Sequence, residues 1–137
     1  MNNKIKHLEM IQAVINRMAS NSFMLKGWAV TLVSGLFALS AKEARLPFFF
    51  IAYIPILTFW GIDSYYLYQE RLYRALYAKV VNTDEKDIDF SLSATYEEFG
   101  SEKNEYWSCV RSHTEIWFYV PMAGVCALVI IAVCIFA

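Results

Sequence analysis

Apolar and polar positions change their pattern several times along this chain. Between residues 4 and 20, Leu8, Ile11, Ile15 and Met18 recur at spacings of 3, 4 and 3, with Lys4, Lys6, Glu9, Gln12 and Arg17 between them. That is the period of an amphipathic helix with a coiled-coil-like seam. A seam of two heptads is too short to hold by itself. It requires a partner: a second copy, a later helix of the chain, or a lipid surface.

Asn21 and Ser22 interrupt the pattern, and three stretches without charge follow: Gly27 to Ala41, Leu46 to Ile62, and Ile116 to Ala137. A hydrocarbon core about 30 Å thick takes about 20 helical residues. The third stretch, with 22, spans unaided. The first, with 15, reaches length only from about Phe23, which carries Lys26 to the membrane boundary. The second has 17 and spans when its aromatic ends lie at the interfaces. Lys42 to Arg45 form a turn so short that the first two spans must be antiparallel neighbours, and Pro47 suits a first helical turn. Pro55 and Pro121 predict kinks inside the second and third spans.

Beyond Ile62 the helical period continues in DSYYLYQERLYRALYAKVV, which places Tyr66, Tyr73, Tyr77 and Val80 on one side. Residues 82–102 are acidic and rich in turn formers. Within them IDFSLS alternates as a short strand would. A helix from about Lys103 leads into the last span, where Trp107, Trp117, Phe118 and Tyr119 fit an interfacial belt.

The expected fold is an all-α integral membrane protein. It comprises an N-terminal amphipathic helix (1–22), a two-span hairpin (23–63), a cytosolic helical and acidic region (64–115) and a third, C-terminal span (116–137), assembled as an oligomeric bundle. Lys4, Lys6, Arg17 and Lys26, with Arg71, Arg74, Lys79 and Arg111, outnumber Lys42 and Arg45. The excess of basic residues puts the N-terminus and the long loop in the cytoplasm and the C-terminus outside. The small residues ALS at 38–40 imitate a signal-peptidase site, but the patterned residues before the first span are unlike an n-region.

Composition agrees with this. The chain is 58% hydrophobic and 18% charged with net charge −1, so no basic field points to nucleic acid. Of three cysteines, Cys126 and Cys134 lie eight residues apart in the last span as packing thiols, and no disulfide framework is implied. Neither a phosphate loop nor a nucleophile elbow occurs, so no catalytic residue and no cofactor are expected. Cys109 and His113 are too few for a metal site, and Asp84, Glu85, Asp87 and Asp89 lack the spacing of a calcium loop.

Two features carry the functional expectation. Folding the first two spans about residue 44 brings together residues whose numbers sum to 88 or 89. Trp28 then meets Trp60, and Lys26 meets Asp63: either as an ion pair at the membrane boundary that sets register or acts as a gate, or with the lysine snorkelling and the aspartate solvated, each alone. The other is the series Gly27, Thr31, Ser34 and Ala38, with Gly35 beside it, where helices approach closely or line a pore in an oligomer. The seam and Tyr66, Tyr73 and Tyr77 are surfaces for a partner or a further copy.

The runs HLEMIQAVINRMASNSFMLKGW, FWGIDSYYLYQERLYRALY and YWSCVRSHTEIWFYVP resemble a family of small, poorly characterised bacterial multi-span membrane proteins. The layout is also similar to SLATT-type two-span effectors of nucleotide-signalled antiphage systems. That resemblance implies an oligomeric inner-membrane effector, pore-forming or membrane-disrupting, with the bilayer, further copies and a cytosolic sensor or nucleotide signal as partners. The other function that fits is a non-conducting anchor docking a cytosolic partner through residues 64–115.

Overall fold

The computed structural model describes residues 2–43, 46–100 and 105–136. Among the described residues there are six α-helices, α1 (Asn2–Glu43), α2 (Leu46–Ile51), α3 (Tyr53–Val81), α4 (Tyr96–Phe99), α5 (Tyr106–Val110) and α6 (His113–Phe136), with a 3₁₀ turn at Glu85–Asp87. No strand occurs among the described residues. Two helical segments, Asn3–Leu39 and His113–Ile135, are long and apolar enough to cross a membrane. Part of the expected hairpin turn (Ala44 and Arg45) and the expected helix start at Lys103 lie outside the described residues.

Several elements depart from the sequence pattern. α1 runs through Asn21 and Ser22 without interruption. Each of these residues costs a helix interior well under about 1 kcal/mol, too little to stop it. The second apolar stretch is not one helix. α2 ends at Ile51 and α3 starts at Tyr53. The cause is Pro55, whose ring obstructs the carbonyl four residues earlier, that of Ile51, and which has no N–H to offer it. The break therefore falls a turn before the proline, and Pro55 sits in the first turn of α3, where an N–H would be unpaired anyway. α6, by contrast, continues through Pro121.

The chain forms two compact units. The first comprises Met1–Ser22 and Ser64–Cys109. Its core is Ile11 and Ile15 of α1 against Leu76 and Val80 of α3. Of the three partners open to the N-terminal seam, it takes the later helix of its own chain. Ile11 and Ile15 are thus closed to a second copy, and Leu8, Tyr73 and Tyr77 pack around them. Met18 and Tyr66 are half-buried, Tyr66 edge-on to Tyr65. The alternating IDFSLS stretch is not a strand. It has no neighbouring strand to pair with, and Ile88 and Leu92 pack onto the helical core instead. Phe90 turns the chain there with φ 55°.

The second unit comprises Phe23–Asp63 and Val110–Ala137. Its core is Ala29 and Val33 of α1, Ala52, Ile56 of α3, and Tyr119 and Cys126 of α6. α2 packs against α6, and Phe49 of α2 lies tilted against Phe37 of α1 at 5.7 Å. Tyr53 Oη donates to Ala123 O at 3.1 Å, satisfying a hydroxyl that an apolar core would otherwise strand. Cys126 is buried and Cys134 exposed. Eight residues advance a helix by more than two turns, enough to part the two thiols.

Candidate functional site: a buried charge node

Lys26 precedes the first apolar stretch, Asp63 follows the second and Glu115 precedes the third, and the second unit brings these three charges together. Lys26 Nζ lies 2.5 Å from Asp63 Oδ2 and 3.2 Å from Glu115 Oε1. The Lys26 side chain is 15% exposed, Asp63 and Glu115 0% and 1%. Tyr119, one turn beyond Glu115 on α6, donates its hydroxyl to the same Asp63 oxygen at 2.9 Å. Lys26 Nζ also stands 5.8 Å from the Phe118 ring. Three helices, α1, α3 and α6, thus meet on one ammonium.

Local sequence builds each arm. Ser112 precedes α6, and its Oγ accepts the Glu115 N–H at 3.4 Å. Ser-His-Thr-Glu at 112–115 is a capping-box sequence. Here the serine caps while the glutamate carboxylate points to Lys26 rather than back to the cap. On α3, Asp63 follows Trp60 by a turn. Trp60 lies parallel to Tyr119 (5.8 Å between centroids, 4° between planes), and its indole N–H donates to Val110 O at 3.1 Å. The stacked rings hold the Tyr119 hydroxyl over Asp63. Trp28, the expected neighbour of Trp60, is 56% exposed.

The electrostatics are unbalanced. Two carboxylates face one ammonium, and Glu115 Oε2 is buried without a hydrogen-bond partner. The counterweight is the start of α6. Glu115 lies in its first turn, where unpaired N–H groups and the helix dipole place roughly half a positive charge. A buried ion pair adds little net stability, because desolvation offsets the attraction, yet removal of one partner strands the other. Such a node fixes which faces of three helices meet. No group of three or more His, Cys, Asp or Glu side chains is arranged to hold a metal among the described residues.

The small-residue series lies elsewhere on α1. Leu25, Ala29 and Val33 face the core, while Gly27, Thr31, Ser34, Gly35 and Ala38 are exposed. A Cβ at Gly27 or Gly35 would meet nothing within 4 Å. Thr31 Oγ1 is satisfied by Gly27 O at 2.9 Å. The face is polar enough to bond across to a neighbour and small enough to let one close.

Glu115 escaped the sequence reading, and Tyr119, expected in an interfacial belt, is instead fully buried because its ring stacks on Trp60 and its hydroxyl binds Asp63. The signal was present: Glu115 is the last charge before the third apolar stretch, as Lys26 is the last before the first and Asp63 the first after the second. No family model, curated protein or solved structure matches the chain.

Proposed function

We propose that the chain is a three-span protein of the bacterial inner membrane that self-associates and acts as an effector of membrane permeability, as in antiphage defence. In this reading residues 64–115 and the N-terminus are cytoplasmic and the C-terminus lies outside. The observation that carries it is the exposed face Gly27, Thr31, Ser34, Gly35 and Ala38 on an apolar helix whose other face is packed. In lipid, where burial of apolar surface gives no drive, small residues and hydroxyls are what join helices. Copies joined along this face would bring Thr31 and Ser34 hydroxyls into one ring. The node at Lys26 would keep that face oriented, since it clamps the opposite side of α1 to α3 and α6.

A non-conducting anchor is the second reading. It is favoured by a chain of rings in the first unit, Tyr65, Tyr66, Tyr68, Tyr106 and Trp107, with centroid separations of 5.5–6.4 Å. Tyr65 and Trp107 are 51% and 64% exposed. Such rings suit either a protein partner or the headgroup region.

Ion flux through liposomes holding the purified chain separates the two, with Ser34→Asp as the probe. A pore tolerates hydrated aspartates and shifts toward cations. A dry helix contact does not tolerate them, and its oligomer dissociates. A wild-type oligomer that passes no ions would leave the anchor.

A further inference from the structure

The node at Lys26 does not balance in charge, and the excess lies where water cannot relieve it. Asp63 and Glu115 bring two carboxyl groups to one ammonium, and their side chains are 0% and 1% exposed. The start of α6 returns roughly half a positive charge, which leaves about half a negative charge in an apolar core. A buried ionisable group escapes the cost of such a charge by taking up a proton.

The contacts show which group takes it. Asp63 Oδ2 accepts two hydrogen bonds, from Lys26 at 2.5 Å and from Tyr119 at 2.9 Å. Donors of this kind hold an oxygen in its ionised form. Glu115 receives less. Lys26 stands 3.2 Å from its Oε1, and its Oε2 is buried with no partner. An orphaned charged oxygen costs far more than an orphaned neutral one. The Glu115 and Asp63 carboxyl groups also lie within hydrogen-bond reach of each other. Two ionised carboxylates have no hydrogen to place between them, so that contact requires a proton on one. An O–H at Glu115 Oε2 would have nothing to donate to, so the hydrogen belongs on Oε1.

The groups around Glu115 are accounted for among the described residues. α1 contributes Lys26, α3 contributes Asp63, and on α6 Tyr119 donates to Asp63. α2 (LPFFFI) has no titratable side chain. Arg111 and His113, beside the start of α6, are exposed, and His113 lies against Trp117.

We propose that Glu115 is a proton-binding site, which at neutral pH carries a proton donated to the Asp63 carboxylate and so leaves Lys26 and Asp63 as a balanced pair. Release of the proton removes a bond between α6 and α3 and sets two negative charges against each other. The start of α6 then loosens from α1 and α3. A proton bound more firmly in the folded chain stabilises it in acid and at neutrality, and that stability is lost as pH rises. The site holds whether the chain conducts or anchors.

Infrared spectra of the full chain in detergent test the proposal. At neutral pH the wild type should show the carbonyl stretch of a protonated carboxylic acid, apart from the carboxylate bands. Labelling glutamate with ¹³C should move that band, labelling aspartate should not, and Glu115→Gln should abolish it. The amide is a neutral copy of the acid and can donate to Asp63 in its place, so the variant should melt with the wild type at neutral pH. As pH rises, the wild type should lose the band and melting temperature together, while the variant keeps its melting temperature. Lys79 and Glu98, paired in the first unit, are common to both proteins and cancel in the comparison. Should the variant not fold, the labelled wild-type spectra decide. Absence of the acid band, a band that moves with aspartate labelling, or melting temperatures that fall equally in alkali would each overturn the proposal.

Discussion

Lys26 and Glu115, far apart in the chain, meet at 3.2 Å in the interior of the second unit. The contact joins α1 to the first turn of α6, and Asp63 completes it from α3. An ammonium shared by two buried carboxylates ties three helices of this core together, so its removal should be felt across all three.

Replacing Lys26 alone is therefore expected to be costly. Lys26→Met leaves Asp63 and Glu115 buried without a cation. Breaking a buried pair costs about 3–5 kcal/mol, and the partial exposure of Lys26 favours the lower end. Lys26→Met combined with Asp63→Asn should recover part of the loss, because Glu115 retains the start of α6. Thermal unfolding in detergent, followed by circular dichroism, reads both. A single variant that melts like the wild type would remove the node as a structural clamp.

On the proposed self-association through this face, Ser34→Leu should dissociate the oligomer while leaving the protomer folded. Ser34 is exposed on α1, so a larger side chain meets nothing inside the chain and obstructs only an approaching neighbour. Leu39→Ala, at a position 69% exposed on the same helix, should leave oligomer size unchanged. Light scattering coupled to size-exclusion chromatography makes the comparison.

Ile11→Ala should loosen the first unit. Ile11 is fully buried against Leu76 and Val80, and a cavity of this kind costs about 2–5 kcal/mol. Ile88 and Leu92 rest on the same cluster. Limited proteolysis should consequently cut residues 82–95 faster in this variant than in Met10→Ala, whose side chain is 39% exposed.

At high pH the Lys79–Glu98 pair should fail. The hydrogen bond that Lys79 donates to the Glu98 carboxylate holds its ammonium above its ordinary value of 10.5. A raised lysine contributes stability that is complete below that ordinary value and is lost as pH rises through the shifted one. Nothing is expected near neutrality. Lys79→Met should flatten the alkaline end of the stability curve, and salt should do so in part, since the pair is exposed.

Reporters placed after Ala137 and after Asn82 should fall on opposite sides of the membrane, the former periplasmic and the latter cytoplasmic. The basic residues flanking the first and third apolar stretches set this orientation. A cytoplasmic signal at both positions would rule out three crossings.

The meeting of Lys26 with Asp63 could be counted from the sequence, because helical rise is constant. A short turn between two charge-free stretches converts residue number into depth, and equal depths face each other. The same arithmetic could not reach Glu115. A long acidic segment separates the third apolar stretch from the second, and a long loop leaves register open at small entropic cost. Nor could periodicity decide which side of α1 packs. From Gly27 to Ala41 no charged position marks a solvent face, so Leu25, Ala29 and Val33 were indistinguishable from Gly27, Thr31 and Ser34 until neighbours were in place. The break after Ile51 was legible in Pro55 to within a turn, since a proline disturbs the carbonyl four residues before it. His7 and Ser91, by contrast, were joined only by the tertiary structure. A histidine on an amphipathic helix has no partner in its own turn, and the carbonyl that accepts its hydrogen belongs to a segment whose alternating pattern suggested a strand. Local period determined the helices and the depth of the charges; packing between distant parts of the chain chose the faces and assembled the node.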